Sequence, residues 1–450
     1  MNISKYNHVF KSNKYGYLLY IGETNSFAKI DENLYVKLKE IEASPEKIED
    51  LDTEIKQVLS KARYFVSDQG QILYEKRFAY YQKAWDTTNL GLVIAPTRGC
   101  NFNCPYCYEE NKPAIHMTRK VEEDIIKFIQ KHQKVEILNV TWYGGEPLLK
   151  FDSIQRLLKD FKTQIHPRIG IHSMTSNGYL LDEEKCKFFQ EYPMTSIQIT
   201  IDGNKEIHDK RRTLIPNIPT YDKIVENVDR FIFYNPTTFV NLRVNLDSSN
   251  IHIFPEVLKE FDNKWWNHGK KVIAYPAFVR DYSESCTSNC LLVKRIERMD
   301  LFEELYRQYG YDVRFLPEFC VGGCGATVIN YYIVGPEGEL YKCWNDLGVK
   351  KQIVGYLNSD EIINFELLAR YMAGPTMMDS HECIECKLLP TCEGGCIWEK
   401  HKNLFEGRKY DYLCNTRKDS IDRALELHYE KMIKQQQKQD YEKDISYSIT

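Results

Sequence analysis

Residues 91–107 read Gly-Leu-Val-Ile-Ala-Pro-Thr-Arg-Gly-Cys-Asn-Phe-Asn-Cys-Pro-Tyr-Cys, an apolar run of strand length that opens into a loop carrying Cys100, Cys104 and Cys107. Thiolates suit zinc or iron–sulfur clusters. A structural zinc site takes a fourth ligand close by, and neither His nor Cys follows this trio closely. A [4Fe–4S] cluster takes four ligands, so three cysteines leave one iron open to bind a small molecule. A partial zinc site and three buried thiols are the other readings of the same spacing.

Outward from this loop the chain alternates. Strand-like stretches fall at 91–96, 138–142, 169–174, 196–201, 239–245 and 272–276. Helical periodicity lies between them at 119–133, 153–163, 182–191, 221–233 and 253–262. Strands alternating with helices predict a parallel sheet. Six of them predict an α/β fold of the partial (β/α)6, TIM-type kind, with chemistry on the loops after the strand ends.

Those loops carry further motifs. Gly144-Gly145-Glu146-Pro147 follows the second strand; its glycines allow close backbone approach, and its carboxylate can accept hydrogen bonds from an ammonium group. Thr175-Ser176-Asn177-Gly178 follows the third, with Ser176 and Asn177 able to bond sugar hydroxyls or to form an ordinary turn. Thr200-Ile201-Asp202-Gly203 follows the fourth, then His208-Asp209 with Arg211 and Arg212. Arg243 and Asn245 on the fifth strand face the pocket or pair with Asp202.

The C-x3-C-x2-C loop with Tyr106 before its last cysteine resembles the radical S-adenosylmethionine (SAM) superfamily, and the Gly-Gly-Glu-Pro string is similar to that family's second motif. The resemblance implies that SAM chelates the open iron through its amino and carboxylate groups. One electron then cleaves it to a 5′-deoxyadenosyl radical that abstracts hydrogen from a substrate. It also implies Tyr106 near the adenine, residues 144–147 at the methionine end, and Ser176 and Asn177 near the ribose. The electron donor would be of flavodoxin or ferredoxin type.

Eight cysteines crowd residues 320–414, including Cys383-x2-Cys386-x5-Cys392-x3-Cys396 and then Cys414. With few long periodic segments, this is a region stapled by metal more than by a core. The string resembles the SPASM extension of radical SAM enzymes, which implies two auxiliary [4Fe–4S] clusters. One would use Cys320, Cys324, Cys343 and Cys396, with Cys286 or Cys290 as alternatives to Cys320. The other would use Cys383, Cys386, Cys392 and Cys414. Paired zinc ribbons are the structural rival. Cys186, within a helical pattern, reads as a small buried apolar residue.

Domains follow at 1–75 (small α/β), 76–89 (linker), 90–277 (core), 278–319 (bridge), 320–416 (cysteine-rich) and 417–450 (charged helical tail). The first contains candidate strands at 17–21, 26–30 and 64–67 and helices at 32–41 and 47–62. Its element order resembles the winged-helix unit with which some peptide maturases recognise a leader peptide. Sulfatase-maturing members of the family place an Asp directly after the cysteine matching Cys343, and this chain has Trp344 there, with Asp346 two residues on. The resemblance therefore favours a precursor peptide as substrate, with formylglycine formation on a sulfatase as the alternative. A non-catalytic iron–sulfur or zinc scaffold is the alternative outside enzymes.

Composition bounds the partners. The 60 basic and 64 acidic residues give a net charge of -4, which offers nucleic acid no electrostatic footprint. No apolar run reaches the ~20 residues of a membrane helix, and residues 1–14 lack a signal core. A cytoplasmic protein is expected, in a compartment where fourteen cysteines stay reduced and serve something other than disulfides.

Overall fold

The computed structural model describes residues 1–450 except 108, 110–112, 281–291, 317–318, 320–323, 375, 411–413, 415–416 and 449–450; the side chains of 438–448 are also outside the description. The chain forms two compact units. The larger comprises Trp85–Val293 with Cys324–Gly374, and the smaller Met1–Ala84 with Lys294–Gly323 and Pro375–Thr450.

The larger unit is built on β1 (Asn89–Ile94), β2 (Ile137–Trp142), β3 (Arg168–Ser176), β4 (Ser196–Thr200), β5 (Phe239–Leu246) and β6 (Val272–Phe278). Each pairs in parallel with the next. The connecting helices are α1 (Arg119–Lys131), α2 (Phe151–Gln164), α3 (Glu183–Glu191), α4 (Lys205–Arg211) with α5 (Tyr221–Tyr234), and α6 (Phe254–Lys264). Every strand and helix expected between residues 91 and 276 appears within two residues of its expected ends; α4 is additional.

The sequence explains these elements. Leu90, Leu92, Val93 and Ile94 of β1 are all buried, as a central strand covered on both faces requires. Thr118, Asp182 and Asn204 cap α1, α3 and α4 by accepting from backbone N–H groups of Val121, Lys185 and Ile207.

Beyond β1 the sheet continues. β7 (Tyr331–Val334) pairs in parallel with β1, and β8 (Glu339–Tyr341) and β9 (Gly355–Tyr356) follow antiparallel, giving the order β6-β5-β4-β3-β2-β1-β7-β8-β9 among the described residues. Gly91 makes the β1–β7 pairing possible, because a Cβ there would lie 2.5 Å from the Tyr331 ring. The stretch 320–416 divides between the two units. Its part from Cys324 to Gly374 belongs with the core sheet, because strand pairing claims it, and its later part belongs with the smaller unit.

The smaller unit has a three-stranded antiparallel sheet of Asn7–Ser12, Gly16–Ile21 and Ser26–Ile30, and an Asn2–Ile3 pairing with Phe65–Val66. Its first strand went unread in the sequence. The helix expected over 47–62 is two pieces, because the Asp52 carboxylate accepts from Glu54 N (2.8 Å) and Ile55 N and starts a new helix, Thr53–Lys61. Residues 76–89 are not a free linker. Gln71–Ala84 is a helix that buries Ile72, Tyr80 and Ala84 against Tyr6, Met377, Met378 and Leu389. The charged tail is likewise anchored, since Ala424, Leu425 and Leu427 of the helix Ile421–Ser448 are buried with Phe10, Leu18, Tyr20, Met299 and Phe315.

One buried histidine gives the larger unit a pH dependence. Trp142 Nε1 donates to His172 Nε2 (2.9 Å), and His172 Nδ1 donates to the Pro193 carbonyl (3.0 Å). Burial lowers the His172 pKa to about 4, against a smaller upward pull from that carbonyl. The unfolded chain therefore binds this proton first. The stability that His172 contributes is complete above pH ~6.5 and is lost as pH falls towards 4, with about 2 kcal/mol gone by pH 5. Urea unfolding of wild type and His172→Gln at pH 7.5 and 5 should show the difference between them shrinking by that amount.

Candidate active site

The four loops follow the C-terminal ends of β1 to β4, with Arg243 and Asn245 of β5 beside them. Cys100, Cys104 and Cys107 are half-buried on the loop after β1. A turn closes on the last two, with Cys107 N donating to Cys104 O (3.2 Å), and Phe102 N donates to Cys100 Sγ (3.4 Å).

Gly144 and Gly145 press against this loop, backbone to backbone. Gly145 N donates to Thr97 O (3.2 Å) and Glu146 N to Gly99 O (2.9 Å). Gly144 has φ +111°, and a Cβ on it would lie 2.3 Å from Thr97 O; one on Gly145 would lie 2.2 Å from Gly99 O. The close approach that these glycines permit is to the cysteine loop itself.

Glu146 is fully buried. Its Oε1 accepts from Ser176 Oγ (2.9 Å) and Leu148 N (3.1 Å), and its Oε2 from Asn177 N (2.7 Å). Burial raises its pKa, and these hydrogen bonds oppose the rise. Pro147 starts the short turn that Glu146 caps, just ahead of α2. Asn177 Nδ2 reaches Asn101 Oδ1 (2.8 Å) in the cysteine loop, so three motifs form one hydrogen-bonded unit. Ser176 Oγ also accepts from Gly178 N and Asn177 Oδ1 from Tyr179 N, so both side chains have protein partners within their own turn.

A second network was only partly legible in the sequence. The Tyr106 hydroxyl donates to the fully buried Asp202 carboxylate and accepts from Arg212 Nη1 (2.7 Å) and Asn245 Nδ2 (3.2 Å). Asp202 also accepts from Asn245 N and Arg211 Nε, both at 3.3 Å. Arg243 Nε donates to Asn245 Oδ1 (2.8 Å), so Asn245 serves Asp202, Tyr106 and Arg243 at once. His208 holds the far side, accepting from Asp202 N and bonding Thr220. In the sequence His208-Asp209 with Arg211 and Arg212 was the signal; the partners come from a different loop and strand.

Tyr143, at the end of β2, stacks edge-on against Trp344 (centroids 4.5 Å apart). Burial raises its pKa first, and the Cys107 thiolate adds to the rise. Trp344 Nε1 donates to Tyr331 Oη (2.8 Å), and the buried Asp346 accepts from Tyr371 Oη (2.9 Å).

In the smaller unit Cys383, Cys386, Cys392 and Cys414 line one cavity of about 270 Å³. Burial raises the Cys386 and Cys392 thiols, and neighbouring cysteines add to the rise. Gly394 N donates to Cys392 Sγ (3.2 Å), and Lys418 Nζ lies 3.6 Å from Cys414 Sγ. Cys324 and Cys343 belong to the larger unit and Cys396 to the smaller. Cys320 and its alternatives Cys286 and Cys290 lie outside the described residues. Among the described residues no three His, Cys, Asp or Glu side chains close on the position of a single metal ion. A [4Fe–4S] cluster instead takes one thiolate per iron, and four thiols around one cavity, or three on one loop, have the right donor chemistry for it.

Comparison with known proteins agrees with this arrangement. Residues 94–260 match the model of the radical SAM superfamily. A cysteine-type anaerobic sulfatase-maturating enzyme of Clostridium novyi is 24% identical over 75% of this chain and 96% of its own length. The radical SAM cyclopropyl synthase TigE of Paramaledivibacter caminithermalis is 23% identical over 70% of this chain and 69% of its own. Among solved structures, anSMEcpe with bound AdoMet superposes with a TM-score of 0.60 at 21% identity, covering 77% of this chain and 94% of that one. Streptococcus suis SuiB bound to its precursor peptide SuiA gives 0.54 at 16%, covering 92% and 99%. At these identities the structural likeness speaks to the fold. No helix among the described residues is long and apolar enough to cross a membrane. The stretch 94–260, which carries the three-cysteine loop and the Gly144–Pro147 turn, is thus similar to the radical SAM superfamily.

Proposed function

We propose that this enzyme modifies a peptide or protein, with SAM and a [4Fe–4S] cluster at Cys100, Cys104 and Cys107 and auxiliary clusters on its C-terminal cysteines. The observation that carries the reading is the backbone stitching of Gly144–Glu146 onto the three-cysteine loop. When bound, the cluster and SAM would supply hydrogen abstraction through a 5′-deoxyadenosyl radical.

The chain's own residues would do the rest. Cys100, Cys104 and Cys107 would ligate iron, and Tyr106, held by its hydroxyl, would form a fixed wall of the SAM pocket. Glu146 holds the turns around that pocket and would serve the methionine end through residues 144–147. Ser176, Asn177 and Arg243 line the loops where the ribose and carboxylate would sit. Cys383, Cys386, Cys392 and Cys414, which line one cavity, would hold one auxiliary cluster, and the remaining C-terminal cysteines would serve a second. A small flavodoxin- or ferredoxin-type protein would deliver the electron. The six strands β1–β6 would curve as a partial barrel around the site.

A peptide substrate is supported by the relatives' names, which include a precursor-peptide complex, a cyclopropyl synthase and sulfatase-maturating enzymes. It is also supported by the smaller unit. A groove of about 450 Å³ there is lined by Phe27, Ile30, Leu34, Ile55 and Val58, beside the edge strand Ser26–Ile30. An extended leader peptide could add a strand to that edge and place alternate side chains in the groove.

Formylglycine formation on a sulfatase is the second reading, favoured by the sulfatase-maturating relatives. Against it stands Trp344 after Cys343, engaged with Tyr143 and Tyr331, and a buried Asp346 engaged with Tyr371. Co-expression with a short peptide encoded beside this gene, followed by mass spectrometry, separates the two. Loss of hydrogen from the peptide is the expected result. An unmodified peptide together with a cysteine-containing sulfatase peptide converted to formylglycine would contradict it.

The auxiliary assignment has its own test. Cys386→Ser should remove about four irons per chain and leave SAM cleavage measurable, as iron analysis and product chromatography would report.

A further inference from the structure

Arg212 is a buried cation set inside the three-cysteine loop. Its guanidinium carbon lies 5.6 Å from the centre of the Phe102 ring, and its Nη1 donates to the Tyr106 hydroxyl (2.7 Å). Phe102 and Tyr106 are interleaved with Cys100, Cys104 and Cys107. The residue is 7% exposed, and its Nε–H has no hydrogen-bond partner. No neighbouring carboxylate of the described residues makes a direct ion pair with it. Asp202 and Asp247 are both taken by Arg211 (3.3 and 2.7 Å). A buried charge without a partner is costly, and so is a buried donor left unbonded. Both costs disappear if an anionic group sits beside the loop. Burial opposes the charge on Arg212, yet its pKa is raised, with the Cys104 thiolate the strongest of the groups that hold it up.

We propose that Arg212 is a positioning residue that sets the reduction potential of the cluster on Cys100, Cys104 and Cys107, by holding a permanent positive charge and an unbonded Nε–H against the Phe102 and Tyr106 side chains of that loop. The inference rests on the cluster assignment above. Reduction adds one electron from an external one-electron donor, and no bond forms or breaks. The added negative charge is stabilised by a nearby cation in a low-dielectric setting, and hydrogen bonds to cluster sulfurs act in the same direction. Without Arg212 the cluster is harder to reduce. Asp202, the anion behind Tyr106, acts with the opposite sign.

The test is a redox titration of the full-length, anaerobically reconstituted protein, following the paramagnetic signal that changes on adding SAM. Arg212→Met should lower the reduced-to-oxidised ratio at the wild-type midpoint by about tenfold or more, which is about 59 mV per tenfold for a one-electron couple. Arg212→Lys should restore most of the ratio, and Asp202→Asn should raise it. A loosened loop would not give opposite signs for the two sites. If Arg212→Met loses its iron, Arg212→Lys and Asp202→Asn decide by the same reading. Wild-type midpoints in every variant that keeps its iron overturn the proposal. A wild-type protein with no SAM-responsive cluster would instead overturn the assignment beneath it.

Discussion

Cys100→Ala should abolish formation of 5′-deoxyadenosine from SAM and remove about four irons per chain. The loop has no spare ligand. Its three thiols stand on eight residues, and the loop is pinned on both sides, by Gly144–Glu146 and by Asn103 N to Thr213 O and Ile215 N to Asn101 O. Cys186 is on α3, completely buried, with burial pushing its thiol up to about 12. That makes Cys186→Ala the matched control. It should cost on the order of 1 kcal/mol of stability and leave both iron and cleavage unchanged. Iron and sulfide analysis with chromatography of the SAM products reads both variants. Cleavage surviving in Cys100→Ala would mean that the loop does not hold the reactive cluster.

Gly145→Ala, a change of one methyl group, should lower SAM cleavage by about a hundredfold or more. The new Cβ would stand 2.2 Å from Gly99 O and 2.6 Å from Arg98 O, both backbone atoms that no rotamer change can move aside. Either the cysteine loop or the Gly144–Pro147 turn must shift, and a shift of about 1 Å at a reacting centre costs on the order of 10²-fold. Gly269→Ala isolates the steric term. Gly269 has a positive φ (+71°), which Gly145 lacks, and nothing within 4 Å of its Cβ position. It should lose about 1 kcal/mol of stability and no cleavage. Equal cleavage in the two variants would show that the stitching of the two loops is irrelevant to the chemistry.

The sequence made the alternating core legible because strands β1–β6 and their helices each carry a full period of apolar residues, and capping residues such as Thr118 and Asp182 mark where helices begin. The positions of the cysteine loop and of Gly144–Pro147 at strand ends followed from the same pattern. What stayed hidden depends on contacts distant in sequence. β7 joins the core sheet through Tyr331 opposite Gly91, a pairing across some 240 residues with no local signature. The helix Gln71–Ala84 reads as polar linker because its buried side spreads over Ile72, Tyr80 and Ala84, and the partners of that side lie beyond residue 376.

At the site, residue types were readable and their partners were not. Glu146 was expected to face the ammonium of a ligand, and its carboxylate holds Ser176, Asn177 and Leu148. Tyr106 was expected near an adenine, while its hydroxyl ties the cysteine loop to Asp202, Arg212 and Asn245. Buried polar side chains must be satisfied, but sequence alone does not say by which neighbour.

The central claim is that this chain cleaves SAM at the three-cysteine loop. The most direct measurement is incubation of the anaerobically reconstituted protein with SAM and a strong one-electron reductant, with 5′-deoxyadenosine and methionine quantified over time. Both should accumulate in equal amounts and only when reductant is present. Protein with full iron and sulfide content that yields neither would contradict the claim.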